Sequence, residues 1–121
     1  MTRIVIAGGR LQDRSALRLL AQDLGIDVVG EAADWPGTLA EVATVQPDVL
    51  LVEWDLSLEG GESALARLRA FCSETLVIVL ISDLSAHEQA ALSAGADEFI
   101  SRSETVDRIA IRLGKAAAKT R

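Results

Sequence analysis

Two carboxylates, Glu53 and Asp55, stand two residues apart, and a third, Asp83, follows the hydroxyl of Ser82. A Gly8-Gly9-Arg10 step and an isolated Arg102 complete the groups that could handle charge. Residues two apart point to the same side while a chain stays extended, so Glu53 and Asp55 would face one way, and Asp83 beside Ser82 could join Glu53 in a cation site. Gly8-Gly9 before a helix could offer backbone N–H groups to an anion. The plainer reading is a turn, since the dinucleotide pattern G-x-G-x-x-G is absent. Nucleophilic triads find no support, because the one histidine, His87, falls in a helical segment without ligand-spaced neighbours and is read as a surface residue. The one cysteine, Cys72, cannot close an internal disulfide or build a cysteine zinc site, and packing is its expected role.

These groups need elements to bring them together. Short runs rich in Val, Ile and Leu occur at Arg3–Ala7, Asp27–Ala32, Val49–Trp54, Leu76–Ser82 and Glu98–Ser101. Such runs suit strands buried on both faces. Segments with helical periodicity lie between them. Their apolar stripes are Leu17, Leu20, Ala21 and Leu24; Leu39, Val42 and Ala43; Leu65, Leu68 and Cys72; Ala90, Ala91 and Ala94; and Val106, Ile109, Ala110, Leu113 and Ala117. Gly25 and Gly95 follow apparent helix ends, Pro36 suits a first helical turn, and Ser85 with Glu88 forms a capping box. Five β/α units predict a parallel sheet with helices on both faces. Ligands of such sheets bind beyond the carboxyl ends of the strands, where Gly8, Gly9, Glu53, Ser82, Asp83 and Arg102 all fall. Trp35 and Trp54 are either exposed anchors for a partner or partly buried covers of loops.

Length and charge narrow the function classes. The chain has 121 residues, half of them apolar, and a net charge of −6. One domain over residues 1–121 is expected, with residues 115–121 closing the last helix and forming a tail or linker. An acidic balance disfavours binding a phosphate backbone by bulk charge, so no direct nucleic-acid contact is expected. The longest aliphatic run, Leu76 to Ile81, has six residues, far short of the ~20 needed for a membrane span. No signal peptide is recognisable, and a reducing cytoplasm is the expected setting. Charge is uneven: residues 102–121 carry six basic and two acidic side chains, whereas residues 1–101 carry six basic and sixteen acidic ones. The last helix is either a contact surface for an acidic partner or a solvated helix whose late cations complement its dipole.

Four motifs in order give the chain a family resemblance. Pro47-Asp48-Val49-Leu50-Leu51-Val52-Glu53 is followed eight residues later by Gly61; Leu80-Ile81-Ser82 ends one strand; Ala94-Gly95-Ala96-Asp97-Glu98-Phe99-Ile100 leads into another; and Val28-Val29-Gly30-Glu31-Ala32 forms a short apolar strand. Together they resemble the receiver domain of two-component response regulators. The resemblance implies a flavodoxin-like (βα)5 fold, a five-stranded parallel sheet in the order 2-1-3-4-5, and a role in phosphorelay signalling without enzymatic catalysis. It makes Glu53 the phosphoacceptor equivalent, Gly8 and Gly9 the positions of the acidic pair that holds Mg²⁺, Ser82 and Phe99 the switch positions, and Arg102 the lysine equivalent.

The departures from that pattern define the expected function. The acidic pair is Gly8-Gly9, the acceptor aspartate is Glu53, the lysine is Arg102, and the small residue after Ser82 is Asp83. Asp55 is no better acceptor, standing six residues before Gly61 where the family has eight. Phosphoryl transfer depends on positioning and charge neutralisation. Two glycines supply no side-chain oxygen for Mg²⁺, and glutamate displaces the nucleophile by ~1.5 Å. The expectation is an atypical receiver, or pseudo-receiver: weak or absent Mg²⁺ binding, no other cofactor, no metal site, and action through protein contacts. A protein partner or a fused effector domain is implied, with a homodimer also open, through the face made by the segment at residues 85–94, the fifth strand and the last helix. A direct or water-bridged Glu53–Arg102 pair, with Ser82 in reach, is expected at the old acceptor site. The alternative is a small-ligand or nucleotide-binding flavodoxin-like domain.

Overall fold

The structure is a computed structural model that describes residues 2–60, 64–71, 74–81, 95–101 and 106–119. Five parallel strands, β1 (Arg3–Ala7), β2 (Asp27–Ala32), β3 (Val49–Glu53), β4 (Leu76–Ile81) and β5 (Glu98–Ser101), lie in the order β2-β1-β3-β4-β5. The described helices are α1 (Leu11–Asp23), α2 (Trp35–Val45), α3 (Trp54–Leu58), α4 (Ala64–Phe71) and α5 (Val106–Lys119). The expected strands and their order are all present.

Alternation along each strand divides the core in two. Ile4, Ile6, Val49, Leu51, Ile78, Leu80 and Ile100 pack with Ala21 of α1 and Leu113 of α5 on one face. Val5, Ala7, Leu50, Val52, Val77, Val79 and Ile81 pack with Trp35 and Val42 of α2 and Leu65 and Leu68 of α4 on the other. Every one of these side chains is at most 5% exposed, so both faces of the sheet are dry and the strands can be apolar throughout. Among the outward exceptions to the expected stripes are Leu24, which is exposed, and Ala43, which faces solvent while Val45 packs in its place.

Local signals explain the boundaries. Asp34 caps α2, its carboxylate accepting from Gly37 N at 2.6 Å, and Pro36 lies in the first turn, where a missing N–H costs nothing. Gly25 adopts φ of 75°, the left-handed conformation that terminates α1, and Gly95 also has a positive φ, 113°. The capping pair Ser85–Glu88, the stripe Ala90, Ala91 and Ala94, and the side chains of Cys72, Val106 and Ala117 lie outside the described residues, as does His87.

Register carries the strands to a common edge. Ala7 pairs with Val52, so Gly8 and Glu53 are the next residues along two adjacent strands. Glu53 in turn pairs with Leu80, and Ile81 with Ser101. At the opposite edge, Asp48 locks the start of the sheet. Its carboxylate accepts from Arg3 N at 2.9 Å, its own N–H donates to Arg3 O at 2.9 Å, and its carbonyl accepts from Leu76 N at 2.9 Å. Asp97 does the same for β4 and β5, accepting from Val77 N at 2.7 Å and pairing with Arg69 of α4.

Candidate functional site at the carboxyl edge of the sheet

Gly8 and Glu53 share a strand parity as well as an edge: positions 4, 6 and 8 face the same side as 49, 51 and 53. Glu53 therefore leans over the end of β1. Its Oε1 accepts from the Gly9 backbone N–H at 2.7 Å, where β1 turns towards α1. A Cβ built on Gly8 would lie 3.0 Å from Glu53 Cδ and nearer still to Oε1. The carboxylate thus fills the volume into which a side chain at position 8 would grow. Gly9 has open space in the same direction, with nothing within 4 Å. The two glycines have different jobs: Gly8 makes room, and Gly9 offers its N–H.

An arginine fixes the turn from beneath. Arg14, one turn into α1, donates from Nη1 to Gly8 O at 2.6 Å and from Nε to Glu31 Oε1 at 3.3 Å. Arg18, one helical turn further, pairs with the other oxygen of Glu31 on β2. The Arg14 side chain is 14% exposed, so its charge is well shielded from bulk water. The network ties α1 to β2 and engages the Gly8 carbonyl. The sequence reading missed Arg14; its only sequence signal was the i, i+4 spacing with Arg18 on one helical face.

Asp55 does not join Glu53. The chain turns helical at Trp54, so Asp55 belongs to α3 and is exposed, and the extended geometry that would have put both carboxylates on one side is lost. The turn occurs there because Trp54, Leu56 and Ser57 all bury themselves, a pattern that a helical turn satisfies and an extended chain does not. β3 correspondingly ends at Glu53, one residue earlier than expected. Trp35 and Trp54 are 5% and 9% exposed, which removes the exposed-anchor reading and leaves them as covers of the core. Gly60 packs against the Trp35 indole, and Trp35 N donates to Glu59 Oε1 at 3.2 Å, so the segment after α3 is tied to the start of α2.

Phe99 is half-buried against the core face that carries α2 and α4, and its carbonyl accepts from Arg112 Nη1 at 3.0 Å. Ser82, Asp83 and Arg102 lie outside the described residues, and with them the expected Glu53–Arg102 pair and the reach of Ser82. Within the described residues, Glu53 accepts from the Gly9 amide.

Mg²⁺ takes an octahedral set of oxygens and usually one or two carboxylates. The described edge does not supply that set: Gly8 and Gly9 bring no side-chain oxygen, one oxygen of Glu53 is engaged by Gly9 N–H, and Asp55 points to solvent from α3. Among the described residues no group of three or more His, Cys, Asp or Glu side chains could hold a metal ion.

A doubly wound parallel sheet in the order 2-1-3-4-5 defines the flavodoxin-like class of α/β folds. Residues 5–113 match the family described as the response regulator receiver domain, and the chain belongs to that family. It is 26% identical over 119 residues to the transcriptional regulatory protein KdpE of Mycobacterium tuberculosis, covering 98% of this chain and 52% of that protein. The chain spans about half the length of the curated relatives it matches. A two-component response regulator of the LuxR family from Aurantimonas superposes with a TM-score of 0.86 at 22% identity, covering 98% of this chain and 86% of that one. A CheY-like receiver domain protein from Methanospirillum hungatei gives 0.85 at 17% identity, covering 99% and 96%. At these identities the superpositions speak for the fold.

Proposed function

We propose that this receiver domain signals without accepting a phosphoryl group, as a pseudo-receiver that keeps the fold and its contact faces. The observation that carries the reading is the Glu53 carboxylate bound to Gly9 N–H in the space above Gly8. A working acceptor needs a cation beside it and room for an incoming phosphoryl group. Here the Glu53 carboxylate lies in the space that a side chain at position 8 would need, and the Gly8 carbonyl of the turn after β1 is held by Arg14. Mg²⁺ binding is correspondingly weak or absent. A displacement of about 1 Å can cost ~100-fold in rate, so the longer glutamate compounds the missing metal.

In this reading the domain works in the cytoplasm, by contact with a protein partner or with an effector domain in the same protein. KdpE is a transcriptional regulatory protein, and a solved relative from Staphylococcus aureus is described as a DNA-binding response regulator. Contact with nucleic acid would fall to such an effector, since this domain is acidic. The face that includes β5 and α5 is the proposed contact surface.

Intact mass after incubation with Mg²⁺ and a small-molecule phosphodonor tests the reading. The expected result is an unmodified mass. A substantial phosphorylated population that disappears in Glu53→Gln would overturn it, and so would one that disappears in Asp55→Asn.

A further inference from the structure

A trans peptide unit is flat, and its carbonyl and its N–H point opposite ways. The unit between Gly8 and Gly9 is bonded at both of these ends. Arg14 Nη1 donates to Gly8 O at 2.6 Å, and Gly9 N donates to Glu53 Oε1 at 2.7 Å. A cation therefore stands at the negative end of one peptide dipole and an anion at its positive end. Both bonds are charge-assisted, the stronger kind. Hydrogen bonds in a chain polarise one another, so each of the two strengthens the other. The Arg14 side chain is 14% exposed, which limits screening of its charge by salt. Its second bond, from Nε to Glu31 Oε1 at 3.3 Å, fixes the direction of the guanidinium, and Arg18 pairs with the other oxygen of Glu31.

Two glycines in a row make such a grip necessary. Without Cβ atoms both residues reach backbone angles closed to others, so the plane between them turns over at little steric cost. Turned over, it would lose the bond from Gly9 N–H and present a carbonyl oxygen to the Glu53 carboxylate, setting two negative groups against each other. We propose that Arg14 is the positioning residue for Glu53: it acts through the Gly8–Gly9 peptide group as an internal cation and selects the orientation of that group in which the amide meets the carboxylate. The proposal rests on the reading of the carboxyl edge as one that works without a bound cation, and it names what sets the state of that edge. Arg14 brings positive charge to Glu53 across a single peptide group, from a helix that is part of the fold. The state of the turn is then fixed by folding, and its control lies in the pairing of Arg14 with the Gly8 carbonyl.

Amide proton–nitrogen NMR spectra of the full 121-residue chain, recorded without Mg²⁺, read the Gly9 N–H directly. Glu53→Gln removes the charge of the acceptor and should move the Gly9 proton upfield. Arg14→Gln changes neither Gly9 nor Glu53, yet it should move the same proton the same way by at least about 10% as far, the low end of cooperative strengthening between linked bonds. Arg14→Lys keeps a cation and should hold the proton nearer its parent position than Arg14→Gln does. Arg18→Ala takes the other cation from Glu31 and should leave the Gly9 amide in place. Urea denaturation of Arg14→Gln, Glu53→Gln and the double variant should show the two positions coupled about fivefold in the unfolding constant, where independent sites agree to within about twofold. Signal dispersion identifies any variant that has not folded. Should Arg14→Gln be one, the Arg14 Nε–H signal in Glu53→Gln reads the coupling from the other end, with Arg14 intact, and it should move. The proposal is overturned by a Gly9 amide that ignores Glu53→Gln or Arg14→Gln, by one that moves as far with Arg18→Ala, by equal effects of Arg14→Lys and Arg14→Gln, by coupling below about twofold, or by an Arg14 Nε–H signal that Glu53→Gln leaves unmoved. A phosphorylated mass in the preceding experiment would end the pseudo-receiver reading and leave this coupling, measured without Mg²⁺, standing; absence of coupling would leave the mass measurement standing.

Discussion

Read as the acceptor equivalent, Glu53 is longer by one methylene than an aspartate, and Gly8, read as an acidic-pair position, lacks a side chain altogether. The two changes fit one another. A carboxylate that reaches Gly9 N–H must pass over position 8, and only a residue without Cβ leaves that path open. Gly8→Ala should therefore push the carboxylate off its amide and cost about 1 kcal/mol, the worth of one hydrogen bond. Removing the carboxylate first should change the sign. With Glu53→Ala in place, Gly8→Ala loses its three nearest contacts and restricts the unfolded chain, so it should be neutral or stabilise by up to ~1 kcal/mol. Gly9→Ala, with open space around it, should be close to neutral in either background. A double-mutant cycle by urea denaturation checks this. A coupling energy between positions 8 and 53 below ~0.3 kcal/mol, the range of independent sites, would falsify the fitted pair.

At the scale of elements, the family motifs split into residues that handle chemistry and residues that set register. Asp48 and Asp97 belong to the second kind. Asp97 accepts from Val77 N at 2.7 Å and pairs with Arg69, whose Nη1 also donates to Thr75 O at 2.8 Å, so one carboxylate joins β5, β4 and α4. Removing it strands a backbone donor and a half-buried guanidinium. Asp97→Ala should cost about 2–3 kcal/mol, whereas the exposed Asp55→Ala should stay within ~0.5 kcal/mol; thermal denaturation of the two variants compares them directly. The strands were legible because aliphatic runs of four to six residues between helical segments have few other uses, and their order followed from the resemblance. The start of α3 was not legible: Trp54-Asp55-Leu56 alternates apolar and polar as a strand does, and only the burial of Ser57 alongside Trp54 and Leu56 selects the helix. Of the expected site positions, register brings Gly8 beside Glu53, while Ser82, Asp83 and Arg102 lie outside the described residues. The bonds at that edge were not legible. Gly9 N–H as the partner of Glu53, and Arg14 as the clamp on Gly8 O, depend on how a turn closes in three dimensions, and residue types do not encode that.

For the whole molecule, a divalent cation acts on stability only if the folded state offers it a site that the unfolded chain lacks. The described part of the carboxyl edge presents one engaged carboxylate and two glycines, and on the pseudo-receiver reading Mg²⁺ finds few donors there. Thermal denaturation with and without Mg²⁺ should give the same midpoint at constant ionic strength, which must be matched because the chain carries a net charge of −6. A receiver that held the ion at a hundredfold excess over its dissociation constant would gain about 2.7 kcal/mol. For a domain of this size that is a rise of about 10 °C. Restoring the donors should restore the linkage. The triple variant Gly8→Asp, Gly9→Asp, Glu53→Asp places carboxylates on both residues after β1 and shortens the one that blocks them. It should be less stable than the parent without metal, because like charges then crowd one edge with no cation between them. With Mg²⁺ its midpoint should rise by several degrees while the parent's stays fixed. A parent midpoint that climbs with Mg²⁺ at fixed ionic strength would show that the edge already binds the ion, with donors beyond Glu53, and the reading of a site closed by its own carboxylate would fail.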